Sequence, residues 1–196
     1  MKKMMAITGI LLVLVLWASG QNTEKSDFSF GILFMAGGRY DNVRMCVASD
    51  AGVKGGPIAD IMFITRYSLS QNHAISFNLP VMRPILFALF FEMLQFEPEF
   101  TYEYRKKVKE NLAFVTGPGL GVSLHYGPGY ESDQENRGES FFAMGPLISW
   151  QFGLSFEGPG KMHSTAGLRL FYVPLFAENR ADGTVLGGAF QYILLF

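Results

Sequence analysis

Two serine–histidine pairs have the chemistry that nucleophilic catalysis requires. Ser123 and His125 alternate within one apolar segment, and His163 directly precedes Ser164. Such catalysis needs a hydroxyl group, a base within hydrogen-bond reach and an acid that orients the base. In an extended strand Ser123 and His125 share a face. We therefore treat Ser123 and His125 as candidate catalytic residues. We favour the alternative, in which His125 is a structural, hydrogen-bonded residue.

Charged side chains form a second group of interest. They alternate along the sequence with aromatic and aliphatic residues. Charges held away from water need partners, so we expect a network of arginine–carboxylate pairs. The acidic segment 127–140 lacks the spacing of an EF-hand, and the glycine-rich segments lack a P-loop lysine. We therefore expect neither a metal nor a cofactor. The expected charge network consists of Asp60, Arg66, Glu97, Glu99, Glu103 and Arg169.

Eight segments with a period of two must position these side chains. Residues alternate between two faces along a strand, and here one face is aromatic and aliphatic while the other is rich in Gly, Ser and Glu. This alternation is typical of transmembrane β-strands. The predicted strands cover residues 27–37, 57–68, 73–81, 95–104, 111–126, 142–156, 165–176 and 185–196.

The links between these strands alternate in length. The second, fourth and sixth links are short, whereas the first, third, fifth and seventh are longer. Bacterial outer-membrane barrels combine short periplasmic turns with longer external loops, so this alternation predicts that both termini are periplasmic. The third link, residues 82–94, has enough apolar residues for a short helix, and Pro84 near its start is favoured at a first helical position. An extended pair of strands is the interpretation that we slightly prefer there.

The amino-terminal residues predict export. Two lysines, an apolar run and a small-residue cleavage site make residues 1–20 a signal peptide, with the mature domain at 21–196. The whole chain carries a net charge of −1, which does not favour a nucleic-acid partner. A single cysteine, Cys46, excludes an internal disulfide.

The last twelve residues, VLGGAFQYILLF, place apolar side chains at every second position up to a terminal phenylalanine: Phe190, Tyr192, Leu194 and Phe196. This ending resembles the closing strand of bacterial outer-membrane β-barrels. The resemblance implies that these four residues are an assembly signal read by the barrel-assembly machinery.

By pattern rather than by residue identity, the mature chain resembles the small OmpA- and OmpX-type barrels. We predict an all-β, eight-stranded, antiparallel, up-and-down transmembrane β-barrel, monomeric and in contact with outer-membrane lipid and lipopolysaccharide. Side chains fill an interior of this size, so a structural or interaction role without an open pore is expected. The alternatives are a barrel enzyme acting on lipid A or phospholipid, as some small barrels do, and a narrow channel or carrier for a small hydrophobic or ionic molecule.

Overall fold

The structure, a computed structural model, describes residues 28–42, 54–90, 93–128, 140–157, 162–178 and 182–196. The predicted signal peptide, Cys46 and most of the segment 127–140 lie outside these ranges. Within them the chain forms strands and one helix. These are β1 (Phe28–Asp41), β2 (Gly56–Ser68), β3 (His73–Pro80), α1 (Met82–Phe90), β4 (Leu94–Phe96), β5 (Glu99–Lys109), β6 (Leu112–Pro128), β7 (Ser140–Glu157), β8 (His163–Ala177) and β9 (Gly183–Leu195).

The strands close into a ring in which every pairing is antiparallel. Around the ring the order is β1, β2, β3, β5, β6, β7, β8 and β9, and β9 pairs again with β1. The short strand β4 pairs with β6 beside the start of β5. The predicted eight-stranded antiparallel barrel is thus confirmed. Because closure leaves few unpaired edges, the backbone hydrogen bonds are satisfied within the wall.

Alternating side chains give the wall an apolar outside and a buried inside. Outward aromatic and aliphatic residues remain exposed, for example Leu120 at 63% and Phe190 at 72%. The inward residues of the same strands are buried, including nearly all of the charged residues predicted there. Large apolar side chains exposed around an entire wall are stable in hydrocarbon but not in water.

The interior has two chemically different sides. An apolar cluster lines β1, β2, β7, β8 and β9, and its members include Leu33, Met62 and Val173. Polar and acidic side chains line β3, β4, β5 and β6, among them Asn78 and Glu99. This division follows from the sequence, since the inward positions of β5 alternate glutamate and threonine.

Most strands are longer than predicted, and one is broken. β1 continues to Asp41 and β5 to Lys109, while the predicted strand 95–104 is interrupted at Glu97–Pro98. Proline lacks the N–H that a strand ladder needs, which explains the interruption. The link between β5 and β6 is correspondingly short.

The segment 82–90 is helical, so our preference for extended strands across 82–94 was wrong there. Pro84 stands in the first turn, where the backbone N–H groups have no partner within the helix. The N–H of Arg83 instead donates to Asp60 Oδ1 of β2 at 2.9 Å, which satisfies one of these groups and places a negative charge at the helix N-terminus. No helix among the described residues is long and apolar enough to cross a membrane.

We call the end of the barrel that carries α1 the helix end. The opposite end is the terminal end, because Phe28, at the start of the described chain, and Phe196 both lie there. The backbones of Phe30 and Phe196 exchange two hydrogen bonds of 3.2 and 2.8 Å.

Candidate functional site

A cluster of five buried side chains occupies the interior near the helix end. We call Asp60, Arg83, Glu97, Ser123 and His125 the helix-end cluster. Arg83 is its centre: Nη2 lies 2.5 Å from Glu97 Oε2, and Nε lies 3.3 Å from Asp60 Oδ2. Arginine keeps its proton in proteins, so Arg83 is a buried cation held between the carboxylates of Glu97 and Asp60.

The structure brings Ser123 and His125 together. Ser123 Oγ lies 2.7 Å from His125 Nε2 and donates a hydrogen bond of 2.9 Å to Glu97 Oε1. Glu97 Oε1 also lies 3.5 Å from that same Nε2 atom. His125 Nδ1 has no hydrogen-bond partner among the described residues.

This geometry differs from that of a catalytic triad in two respects. A triad needs the acid on the imidazole nitrogen opposite the hydroxyl group, whereas here Glu97 and Ser123 share Nε2. Ser123 and His125 are also completely buried, at 0% exposure. The arrangement is therefore a hydrogen-bonded polar cluster in the state described. The other predicted pair, His163 and Ser164, are neighbours on β8 and so point to opposite faces.

A second cluster lies at mid-height in the barrel. Arg169 Nη2 of β8 lies 2.9 Å from Glu99 Oε2 of β5, across the interior. Glu99 also accepts hydrogen bonds from Ser149 and, at 3.4 Å, from Asn78. Gly119 lies beside this carboxylate, and a Cβ atom there would clash with Glu99 and Ser149. Glycine at 119 thus leaves the space that the ion pair occupies.

A third cluster lies toward the terminal end. Arg66 Nη2 of β2 donates to Glu103 Oε1 of β5 at 2.7 Å. Arg105 approaches the same oxygen at 3.6 Å and Glu157 of β7 at 3.8 Å. The three clusters join β2, β5, β7 and β8 across the interior.

The six residues predicted as the charge network all face inward, but Arg39, Asp41, Arg83 and Arg105 were missing from the prediction. Arg39 and Asp41 form a buried ion pair of 2.7 Å. They occupy odd-numbered positions of β1, as the inward residues Leu33 and Met35 do, so a predicted strand that continued to Asp41 would have placed them inside. Arg83 comes from a helix, where strand parity gives no signal. Among the residues that the structure describes, no group of three or more His, Cys, Asp or Glu side chains could hold a metal ion.

The four predicted assembly-signal residues lie on the outward side of the strand that closes the ring. Phe190, Tyr192 and Phe196 are exposed and Leu194 is half-buried. β9 pairs with β1 on one side and with β8 on the other. The recognition role of these residues remains a prediction.

Comparison with known proteins identifies the architecture. The fold is similar to that in the crystal structure of Neisserial surface protein A (NspA), with a TM-score of 0.53 at 10% sequence identity, over 85% of this chain and 97% of that chain. No protein-family model matches the sequence, and no curated protein matches it. At this identity the likeness concerns the fold, and the chain has the fold of the small eight-stranded outer-membrane barrels.

Proposed function

We propose that this protein is a closed outer-membrane β-barrel that acts as a structural or interaction protein of the envelope and conducts no ions through its interior. The observation that carries the proposal is the interior itself. Ion pairs cross it at three heights: those of Arg83 and Arg169 are buried, and that of Arg66 is part-buried. An apolar cluster fills the side opposite the acidic strands. Side chains packed in this way leave an ion no continuous aqueous path.

Conductance across a planar lipid bilayer tests the proposal. The purified protein should insert without stepwise current, because its paired side chains occupy the interior. The matched control is a variant that loses an exposed carboxylate, Glu178→Gln, and it should behave identically. Heat-modifiable migration on gels establishes that each sample is folded. Regular unitary steps from the folded wild-type protein would overturn the proposal in favour of a narrow channel.

We further propose that residues 1–20 direct export, that the chain resides in the outer membrane as a monomer, and that both termini are periplasmic. The exposed apolar wall supports membrane residence, and contact with outer-membrane lipid and lipopolysaccharide would follow. An epitope inserted in 129–139 should be accessible to antibody on intact cells. The same epitope placed after Gln21 should become accessible only after the outer membrane is permeabilised, and the reverse result would refute the orientation.

One observation makes a lipid-modifying enzyme the second candidate function. Ser123 and His125 are in direct hydrogen-bond contact beside Glu97. Their burial and the shared Nε2 atom favour a structural role. Mass spectrometry of lipid A and phospholipid from membranes with and without the protein should give identical acyl profiles. A changed profile that Ser123→Ala abolishes would establish the enzyme instead.

A further inference from the structure

The barrel wall is not made of paired strands everywhere. β2 pairs with β3 from Met62, opposite Pro80, to Ser68, so among the described strands its residues 56–61 form a ladder only with β1. On the other side, β5 pairs with β3 only as far as Glu99, opposite Asn78. β4 pairs only with β6 among the described strands. We call the interval between residues 56–61 of β2 and strand β4 the seam.

Helix α1 occupies the seam. Val81 N–H, just before the helix, donates to Ile61 O of β2 at 3.0 Å, and Met93 N–H, just after it, donates to Phe87 O at 3.2 Å. Ile85 and Leu89 on α1 are 45% and 65% exposed, as befits a helix that faces hydrocarbon. The wall at the seam is therefore closed mainly by side chains.

One side chain joins the two borders of the seam. Arg83 binds Asp60 on β2 and Glu97 at the end of β4, and these residues lie on opposite sides of α1. Arg83 is among the largest fully buried side chains. If α1 moved outward, Arg83 would vacate space inside the barrel without breaking a strand ladder, and it would leave two buried carboxylates without their cation.

The groups behind the seam define what could replace Arg83. Apolar Met35 and Ile58 lie on the side of β1 and β2, whereas Glu97 and Ser123 lie on the other side. Glu97 would keep the hydrogen bond from Ser123, and Asp60 that from the Ile61 N–H. Two buried carboxylates without a cation are nevertheless strongly unfavourable, so a replacement must carry positive charge. An apolar wall beside them suits a hydrocarbon chain.

We propose that the seam is a lateral entrance through which an amphiphile with a cationic head and a hydrocarbon chain enters the barrel from the surrounding leaflet. The ammonium group takes the position of the Arg83 guanidinium between Asp60 and Glu97. The hydrocarbon chain extends from that position through the seam into lipid. This inference rests on the proposed membrane residence but requires neither catalysis nor conductance.

The test measures displacement of α1. Nitroxide labels are attached at Ala88→Cys on α1 and Leu120→Cys on β6, with Cys46 replaced by serine, in protein purified from outer membranes and reconstituted in bilayers. Dodecylammonium should produce a second inter-label distance, whereas dodecyl sulfate and dodecanol should not. A single unchanged distance with dodecylammonium overturns the entrance, and an equal response to dodecyl sulfate overturns the assignment of a cationic head.

Arg83 variants provide the second measurement. Arg83→Ala should increase the fraction of displaced helix without added amphiphile by about tenfold or more, because the carboxylates lose their buried partner. Arg83→Lys, which keeps the charge, should give an increase between that of wild type and that of Arg83→Ala, and an unchanged fraction in a folded Arg83→Ala variant contradicts the proposal. If Arg83→Ala does not fold, the inter-label distance measured with dodecylammonium in the protein that retains Arg83 still tests the proposal. Failure of membrane residence would be seen separately, as absence of the chain from the outer-membrane fraction.

Discussion

The ion pair between Arg169 and Glu99 allows a quantitative prediction. At 2.9 Å and an effective dielectric constant of about 20, two unit charges attract by about 6 kcal/mol. Burial of the two ions costs several kcal/mol each, so the pair as a whole contributes little net stability. Removal of one partner is different, because the desolvation cost of the remaining charge persists. Arg169→Met and Glu99→Gln should therefore each lower the free energy of unfolding by about 3–5 kcal/mol.

The double variant separates this explanation from simple loss of contacts. Methionine keeps an apolar stem in place of that of arginine and loses the guanidinium, whose Nη1 lies 3.2 Å from Met35 Sδ, and glutamine keeps hydrogen-bonding atoms for Ser149 and Asn78. No unpaired charge remains, so the double variant should be more stable than either single variant, with a coupling energy of at least about 3 kcal/mol. Additive effects, with coupling below about 0.5 kcal/mol, would refute the reasoning.

The assay is reversible unfolding in urea from lipid vesicles, followed by tryptophan fluorescence. If residues 1–20 are removed, Trp150 is the one tryptophan that remains of the two in the chain. It is 51% exposed on the lipid-facing side of β7, and its Nε1 donates to Thr116 Oγ1 at 3.0 Å. Transfer of the indole to water on unfolding should shift its emission to longer wavelength. Glu178→Gln, at an exposed site, should change stability by less than about 0.5 kcal/mol.

Three further predictions concern packing, assembly and catalysis. Gly119→Ala should destabilise the barrel by about 1–3 kcal/mol, since its Cβ meets a carboxylate and a hydroxyl group; Gly188→Ala, which meets the end of a flexible leucine, should cost clearly less in the same urea titration. Phe196→Ala should lower the folded amount in the outer membrane more than Phe176→Ala, a similarly exposed aromatic, when measured by heat-modifiable migration; equal loss would contradict an assembly signal. Ser123→Ala should leave the acyl composition of lipid A unchanged, measured by mass spectrometry with equal amounts of folded protein.

The faces of the strands could be predicted from the sequence because their period is fixed by backbone geometry. Once Phe100 and Tyr102 are placed outside, Glu99 and Thr101 must lie inside, and one error of register would reverse all of them. A continuous apolar wall and a polar interior therefore follow from local alternation. The same logic gives no partner for Glu99, since its pairing with Arg169 depends on how strands far apart in sequence meet across the ring.

The helix could not be derived in the same way. A short apolar run such as 82–90 is compatible with either a strand or a helix, and Pro84 suits the beginning of a helix without requiring one. Tertiary contacts decide the structure: the backbone N–H of Arg83 donates to Asp60, and the guanidinium of Arg83 forms an ion pair with Glu97. The helix-end cluster was therefore predicted only in part, with its carboxylates but without their cation.

The pairing of β1 with β9 has a consequence for the order of folding. Most neighbours in the ring are adjacent in sequence, so their hairpins can form early through local contacts. The closing pair instead joins residues such as Gly31 and Leu195, from opposite ends of the described chain, and it cannot form until β9 has been synthesised. Without β9, β1 and β8 would each carry an unpaired edge in hydrocarbon. The pairing of β9 with β1 thus distinguishes a stable membrane protein from a substrate for proteolysis.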